Sequence, residues 1–416
     1  CEIKEEVTSE QLDRTQKELV AMMKELKNDS YFQTELDKAA VQSSLSKRMA
    51  AYKDLTVRLL SVLEIQAELE WMKPEAIQEA LGIMKKSSGF DAVLADKRFG
   101  ELKSLLAGGF DGIYTGDAQA IDKANKTLTL KRKLMLMSPD VNVDKMLTVK
   151  FDLGERANFV GAGSLGIQPN NWSNLSSASR KNFKAQLVEL SGLQSGELSE
   201  KVLYKPAVDG SSVTDLVLNW DGKRLMFTAL DTTRRWQVHE LDINNGEAKQ
   251  VTNIPEPDLE FFDGTYLPDG RMLAISNIGY QGVPCVNGSD AVGNMVLYDP
   301  SNGYLRRLTF DQDANWHPVV MANGKVMYVR WEYTDLTHYF SRIVMHMNPD
   351  GTEQKSLYGS GSMFPNSIFD VQPLPKHTNR FVGVISGHHG VARSGRLMIF
   401  DPAKSRKEEK GMIQEL

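Results

Sequence analysis

Over roughly the first hundred positions the apolar residues return every three or four places. Leu12, Leu19, Met22 and Leu26 fall at steps of 7, 3 and 4, which sets them on one face of a helix. Ser9 is the expected cap at its start. After Asp29-Ser30 the pattern resumes, and Leu36, Ala40, Leu45, Met49, Tyr52, Leu55, Leu59, Val62 and Leu69 keep helical spacing as far as Trp71-Met72. Pro74 opens a further helix, with Ile77, Leu81 and Met84 on one side and Gly89 beyond its end. A shorter helix over 91–107 stops at Gly108-Gly109, and 117–137 begins as a helix before its pattern weakens. These Met and Leu stripes read as packing faces of a helical bundle or stalk.

From Lys145 the period changes, and MLTVKFDL (146–153) reads as a strand. Beyond about 180 the chain repeats itself. A turn followed by a short apolar strand appears as NWDGKRLMFTA (219–229), YLPDGRMLAIS (266–276) and MANGKVMYVR (321–330), with a degenerate copy at 374–386. A strand running into a polar turn appears at 238–252, 295–309, 343–357 and 397–411, where Asp242, Asp299, Asn348 and Asp401 recur at steps of 57, 49 and 53. Asp-Gly and Asn-Gly supply the positive φ of tight hairpins. Two hairpins per unit of roughly fifty residues make a four-stranded blade, so the expected fold is mainly β: a β-propeller with TolB/WD40-like blades after an α-helical N-terminal region. The expected domains are 1–140, helical, and 141–416, propeller. KAQLVELSGLQSGELSEKVLY (184–204) is a weaker, earlier copy. Only about five units are countable, so either a blade hides within 130–180 or the native chain continues past 416.

With 416 residues, 25% of them charged, and a net charge of −5, the chain lacks the basic face expected of a nucleic-acid binder. It has no run of about eighteen apolar residues that would span a membrane. GAGSLG (161–166) lacks the Lys and Ser/Thr ending of a phosphate loop and reads as a structural loop, and Trp172, beside Asn170 and Asn171, reads as a packed loop aromatic, with a sugar-stacking rim as the alternative. Cys285 reads as a loop thiol whose one available disulfide partner is Cys1. Cys1 itself resembles the lipidated first residue of a mature bacterial lipoprotein, and Lys4-Glu5-Glu6 resembles the acidic export signal of surface lipoproteins in Bacteroidetes. The expectation is a lipid anchor through Cys1 at the outer membrane, on the cell surface or otherwise facing the periplasm, with outer-membrane protein partners.

Candidate chemistry gathers in Phe310–Pro402, which holds six of the seven histidines. His388 and His389 lie between Gly387 and Gly390; with His317 and His338, and Asp335 or Glu332, they offer nitrogen and oxygen ligands for a divalent metal. The simpler reading has the same histidines hydrogen-bonding between blades. Trp316, Trp331, Tyr333, Asp335, Tyr339 and Arg342 are candidates for a ligand-binding surface, with Trp331, Tyr333 and Asp335 on one face of a strand and Arg330 and Glu332, able to pair as ions, on the other. Ser386 before Gly387 is not a nucleophile elbow.

The stretches WHPVV (316–320), GKVMYVRWEYTDLTHYFSR (324–342), HMNPDGT (346–352) and ISGHHG (385–390), with GRLMIFDPAK (395–404), resemble exported proteins of Bacteroidetes and Planctomycetes related to the alpha subunit of hydrazine synthase, in its propeller and middle-domain region. The resemblance covers 215–416 and implies a β-propeller in an exported protein. That subunit carries c-type haems, whereas this chain has no Cys-x-x-Cys-His and so no covalent haem attachment within it. The leading expectation is a surface-exposed lipoprotein acting as a binding or assembly component of a nutrient-uptake complex. The alternative is a metal-dependent exported enzyme using His317, His388 and His389.

Overall fold

The structure, a computed structural model, describes residues 7–139, 141, 143–152, 174–181, 183–195, 197–284, 287–332, 341–387 and 395–416. They form two compact units: residues up to Met146 with the hairpin tip Ser191–Ser199, and the remainder of the chain.

The first unit is helical, with α1 (Ser9–Met23), α2 (Ser30–Ala40), α3 (Leu45–Glu70), α4 (Pro74–Met84), α5 (Ala92–Ala107) and α6 (Ala118–Met135). Thr8, one residue before the expected Ser9, caps α1: it accepts from Gln11 N, and Gln11 Oε1 accepts from Thr8 N at 2.9 Å. This reciprocal pair satisfies two end donors at once, which Ser9 cannot do from inside the helix. The longest helix, α3, packs against α1, α2 and α6. Leu12, Leu19, Leu36, Leu55, Leu59 and Leu102 are buried together, as the stripes required. Gln66 on α3 accepts from Lys27 N and donates to Glu25 O, both at 3.0 Å, and so ties down the backbone after α1.

The second unit is mainly β. β1 (Lys145–Asp152), β2 (Lys184–Ser191) and β3 (Ser199–Tyr204) form a three-stranded sheet. Sixteen strands then fall into four successive antiparallel groups of four. They are β4 (Val213–Leu218) to β7 (Ala248–Gln250), with β5 (Arg224–Leu230) and β6 (Trp236–Asp242); β8 (Phe261–Tyr266) to β11 (Tyr304–Arg307), with β9 (Met272–Ser276) and β10 (Asn294–Asp299); β12 (Asn315–Val320) to β15 (Lys355–Tyr358), with β13 (Val326–Glu332) and β14 (Ser341–Met347); and β16 (Ser367–Pro373) to β19 (Met412–Glu415), with β17 (Phe381–Ser386) and β18 (Arg396–Phe400). The last two groups are joined by a parallel bridge, Arg342 to Ser367. Among the described residues no strand pairing closes the first sheet onto the last.

The repeat is chemical as well as topological. Gly270 and Gly324 turn at φ +91° and +78° between first and second strands, a conformation open to glycine at no steric cost. Asp242, Asp299 and Asp401 each accept the N–H two residues on, at 2.8, 2.9 and 3.0 Å, the Asx turn that stops a third strand. Buried Thr252 and Thr309 accept from Val238 N and Met295 N at 3.1 and 2.8 Å. Between neighbouring sheets lie Trp236, Phe262, Leu273 and Tyr328 in one cluster and Trp316, Trp331, Phe369 and Phe381 in another.

Candidate functional site

The first strand of each four-stranded group is interrupted at the same place. The register slips between Thr214 and Val217, Phe262 and Thr265, Trp316 and Val319, and Phe369 and Gln372. Inside each slip one residue takes left-handed backbone: Asp215 (φ +56°), Asp263 (+54°), His317 (+54°) and Asp370 (+50°). Their spacing, 48, 54 and 53 residues, is the repeat itself. A bulge re-aims a side chain out of strict alternation, and four such residues, each in sparsely populated backbone, converge on one cavity. Strain of this kind persists where the surroundings over-determine it and gathers at working sites.

The cavity measures about 250 Å³. Thr214, Asp215, Asp263, His317, Asp370 and Gln372 supply its polar wall, and Leu175, Phe262, Trp316 and Pro318 its apolar one. The bulge residues are chained from strand to strand. Asp263 N donates to Asp215 Oδ2 at 3.0 Å and to Thr228 Oγ1 at 3.2 Å. His317 N donates to Asp263 Oδ2. His317 Nδ1 lies 3.1 Å from Asp370 Oδ1, while its Nε2 has no hydrogen-bond partner among the described residues. Burial first, and the Asp263 carboxylate second, push Asp215 up to about 6. Among the described residues no Lys or Arg lines the cavity, and three carboxyl groups and one imidazole face it.

His317 and Trp316 occupy this cavity, as candidates read from the sequence. His338, His388 and His389, together with Tyr333, Asp335, Tyr339 and Cys1, lie outside the described residues. Trp331 and Arg342 are elsewhere: both are fully buried, with the Arg342 guanidinium 4.3 Å above the Trp331 ring and Trp331 stacked at 6.4 Å on Trp316. That places them in the sheet interior, not on the ligand surface expected of them, because alternation turns Trp331 inward in a strand covered on that face. Arg330 does pair with Glu332, and also with Asp311 at 3.3 Å, on the connection between β11 and β12. Among the described residues, no group of three or more His, Cys, Asp or Glu side chains is placed to hold a metal ion.

Asp215, Asp263 and Asp370 were not singled out from the sequence. The signal was present: a polar or aromatic residue followed by Asp or His (Thr214-Asp215, Phe262-Asp263, Trp316-His317, Phe369-Asp370) returns at the period of the repeat.

No family model and no curated protein sequence matches the chain. Among solved structures, hydrazine synthase of Kuenenia stuttgartiensis is similar over 65% of this chain and 39% of its own, at 12% identity and a TM-score of 0.48. TolB of Acinetobacter baumannii is similar over 52% of this chain and 46% of its own, at 18% identity and a TM-score of 0.36. A puromycin hydrolase covers 57% and 34%, at 13% identity and a TM-score of 0.38. The chain therefore spans less than half the length of each, and the likeness concerns the fold alone.

Proposed function

We propose that the four-stranded groups are blades of a β-propeller and that the protein is a binding component which captures a small organic cation at Asp215, Asp263, His317 and Asp370. The observation that carries this reading is the convergence of three carboxylates and one imidazole, each on a left-handed bulge, on a cavity of about 250 Å³ with an apolar wall and no Lys or Arg among its described lining residues. An amine or guanidinium satisfies carboxylates with charge-assisted hydrogen bonds. Trp316 and Phe262 receive its apolar body. An organic cation fits better than a bare metal because the described acidic side chains are not grouped at ligand spacing. We place the protein, as the sequence leads one to expect, at the outer membrane as a lipoprotein with outer-membrane protein partners; palmitate labelling tests the anchor at Cys1, and an unlabelled chain removes it.

Calorimetric titration of the full chain with methylammonium, putrescine and agmatine at pH 7.5 tests the site. At least one should bind with 1:1 stoichiometry, and Asp263→Asn or Asp370→Asn should weaken it about tenfold, ~1.4 kcal/mol. Affinity should fall as the pH drops through about 6, where Asp215 takes up a proton. Absence of heat with all three amines overturns the reading. A stoichiometric divalent metal that stays with the purified protein, and is lost in His317→Ala, turns it toward the metal-dependent enzyme.

A further inference from the structure

The connection from β9 to β10, Asn277 to Gly293, is 17 residues long, whereas the equivalent connection from β5 to β6 takes five, Asp231 to Arg235. Long connections inside compact domains are usually functional or disordered, and this one is built. Val283 N donates to Asp290 O and Val292 N to Gln281 O, both at 2.8 Å, and Val283 and Val292 are fully buried. The loop is also tied to the segment before β2: Asn174 Nδ2 donates to Ala291 O at 2.7 Å and Ala291 N to Ser176 Oγ at 3.3 Å.

Between that loop and that segment lies an open cleft of about 400 Å³, separate in its lining residues from the Asp/His cavity. Its lining is mostly polar and includes Arg180, Glu260, Asn277, Tyr280, Gln281 and Asp290. Arg180 grips Glu260 through both its terminal nitrogens, at 2.8 and 3.0 Å. Asn277 accepts from Glu260 N and donates to Asp258 O, both at 2.9 Å. Tyr280 stands 60% exposed at the rim, at φ +49°. A bulky aromatic residue in left-handed backbone is strained, and an exposed ring gains nothing in the core from staying there.

We propose that this cleft is a carbohydrate-binding site that takes a neutral polysaccharide, with the Tyr280 ring as a stacking platform. An exposed ring presents a flat apolar face to the C–H side of a sugar while its hydroxyl stays wet. The fixed amides, carboxylates and guanidinium offer paired donors and acceptors to hydroxyl groups. Arg180, the one cation in the described lining, is already paired with Glu260, so phosphate and sulfate find no free charge. The lining has too little apolar area for a lipid.

Native gels containing dextran, laminarin, xylan, mannan or arabinogalactan test this with the full chain. At least one polymer should retard the parent protein. Tyr280→Gly should abolish that retardation, or weaken the affinity at least tenfold, while its melting temperature rises, because glycine relieves the positive φ. Gln281→Ala should weaken retardation with an unchanged melting temperature, and Asp263→Asn should leave retardation as in the parent. Parent mobility unchanged in all five gels overturns the proposal, as does equal retardation of the parent, Tyr280→Gly and Gln281→Ala.

Discussion

Asp313 is 2% exposed, and its Oδ1 has no hydrogen-bond partner among the described residues. Burial raises it to about 7; Glu332 and Asp311 add to the shift and Arg342 opposes it. Asp215 shares the direction, at about 6. A folded carboxyl raised above its unfolded value of about 3.9 contributes stability that is complete below that value and fades as the pH climbs through the folded one. Between pH 4 and 7 these two positions therefore hold more protons in the native state than in the unfolded chain, and they make their share of the stability fall as the pH rises. Asp313→Asn removes one source of that loss. Its stability relative to the parent, from urea denaturation at pH 4.5, 6 and 8, should increase with pH by on the order of 3 kcal/mol at most and level off above 7. A difference that stays flat from pH 4.5 to 8 shows Asp313 to be ionised throughout. At this scale the sequence was partly legible. His317 and Trp316 stand out as rare types in a dense segment. Asp215, Asp263 and Asp370 do not, because aspartate is common in turns and nothing in a single strand marks one as pointing into a cavity.

Helices and strands were legible because each buries one face at a fixed period, and an apolar stripe such as Leu55, Leu59 and Val62 has no other use. The bulges were not, because a slip belongs to two strands at once: Asp263 leaves register only with respect to β9, and the sequence of β8 alone cannot state that. The buried threonines show how one four-stranded group is fastened to the next. Thr309 Oγ1 accepts from Met295 N at 2.8 Å and from Asn315 Nδ2 at 3.1 Å, fastening the end of one sheet to the start of the next. Thr309→Val keeps the shape and takes the side-chain acceptor from Met295 N in a fully buried place, while Asn315 Nδ2 keeps Gly293 O and Asp311 Oδ2. It should destabilise the second unit by about 1–3 kcal/mol, against a few tenths for the exposed Thr34→Val on α2. Chemical denaturation of the two variants, followed by Trp fluorescence, measures the difference; equal midpoints remove Thr309 from this role.

Each of the two units has buried clusters of its own among the described residues. The buried cluster of the helical unit runs from Leu12 to Leu134 without a residue from the sheets. The four clusters of the second unit draw on residues from Leu175, Ala185, Met226 and Val283 onward, with no residue of α1 to α6 among them. A unit that closes its own core carries its own folding transition. In the helical unit α1 against α3, α2 against α3 and α5 against α6 are near neighbours in the chain, although α3 also meets α6; local pairings of this kind favour fast folding. The sheets must instead bring Asp215 beside Asp263, and that beside His317, before the cavity exists. Residues 1–137 expressed alone should therefore give a helical circular dichroism spectrum and melt in one cooperative step. The full chain should show a second transition in calorimetry, and an amine bound at the Asp/His cavity should shift only that second one. A fragment without a cooperative melt, or an amine that moves both transitions together, would show that the helices take their stability from the rest of the chain despite a core of their own.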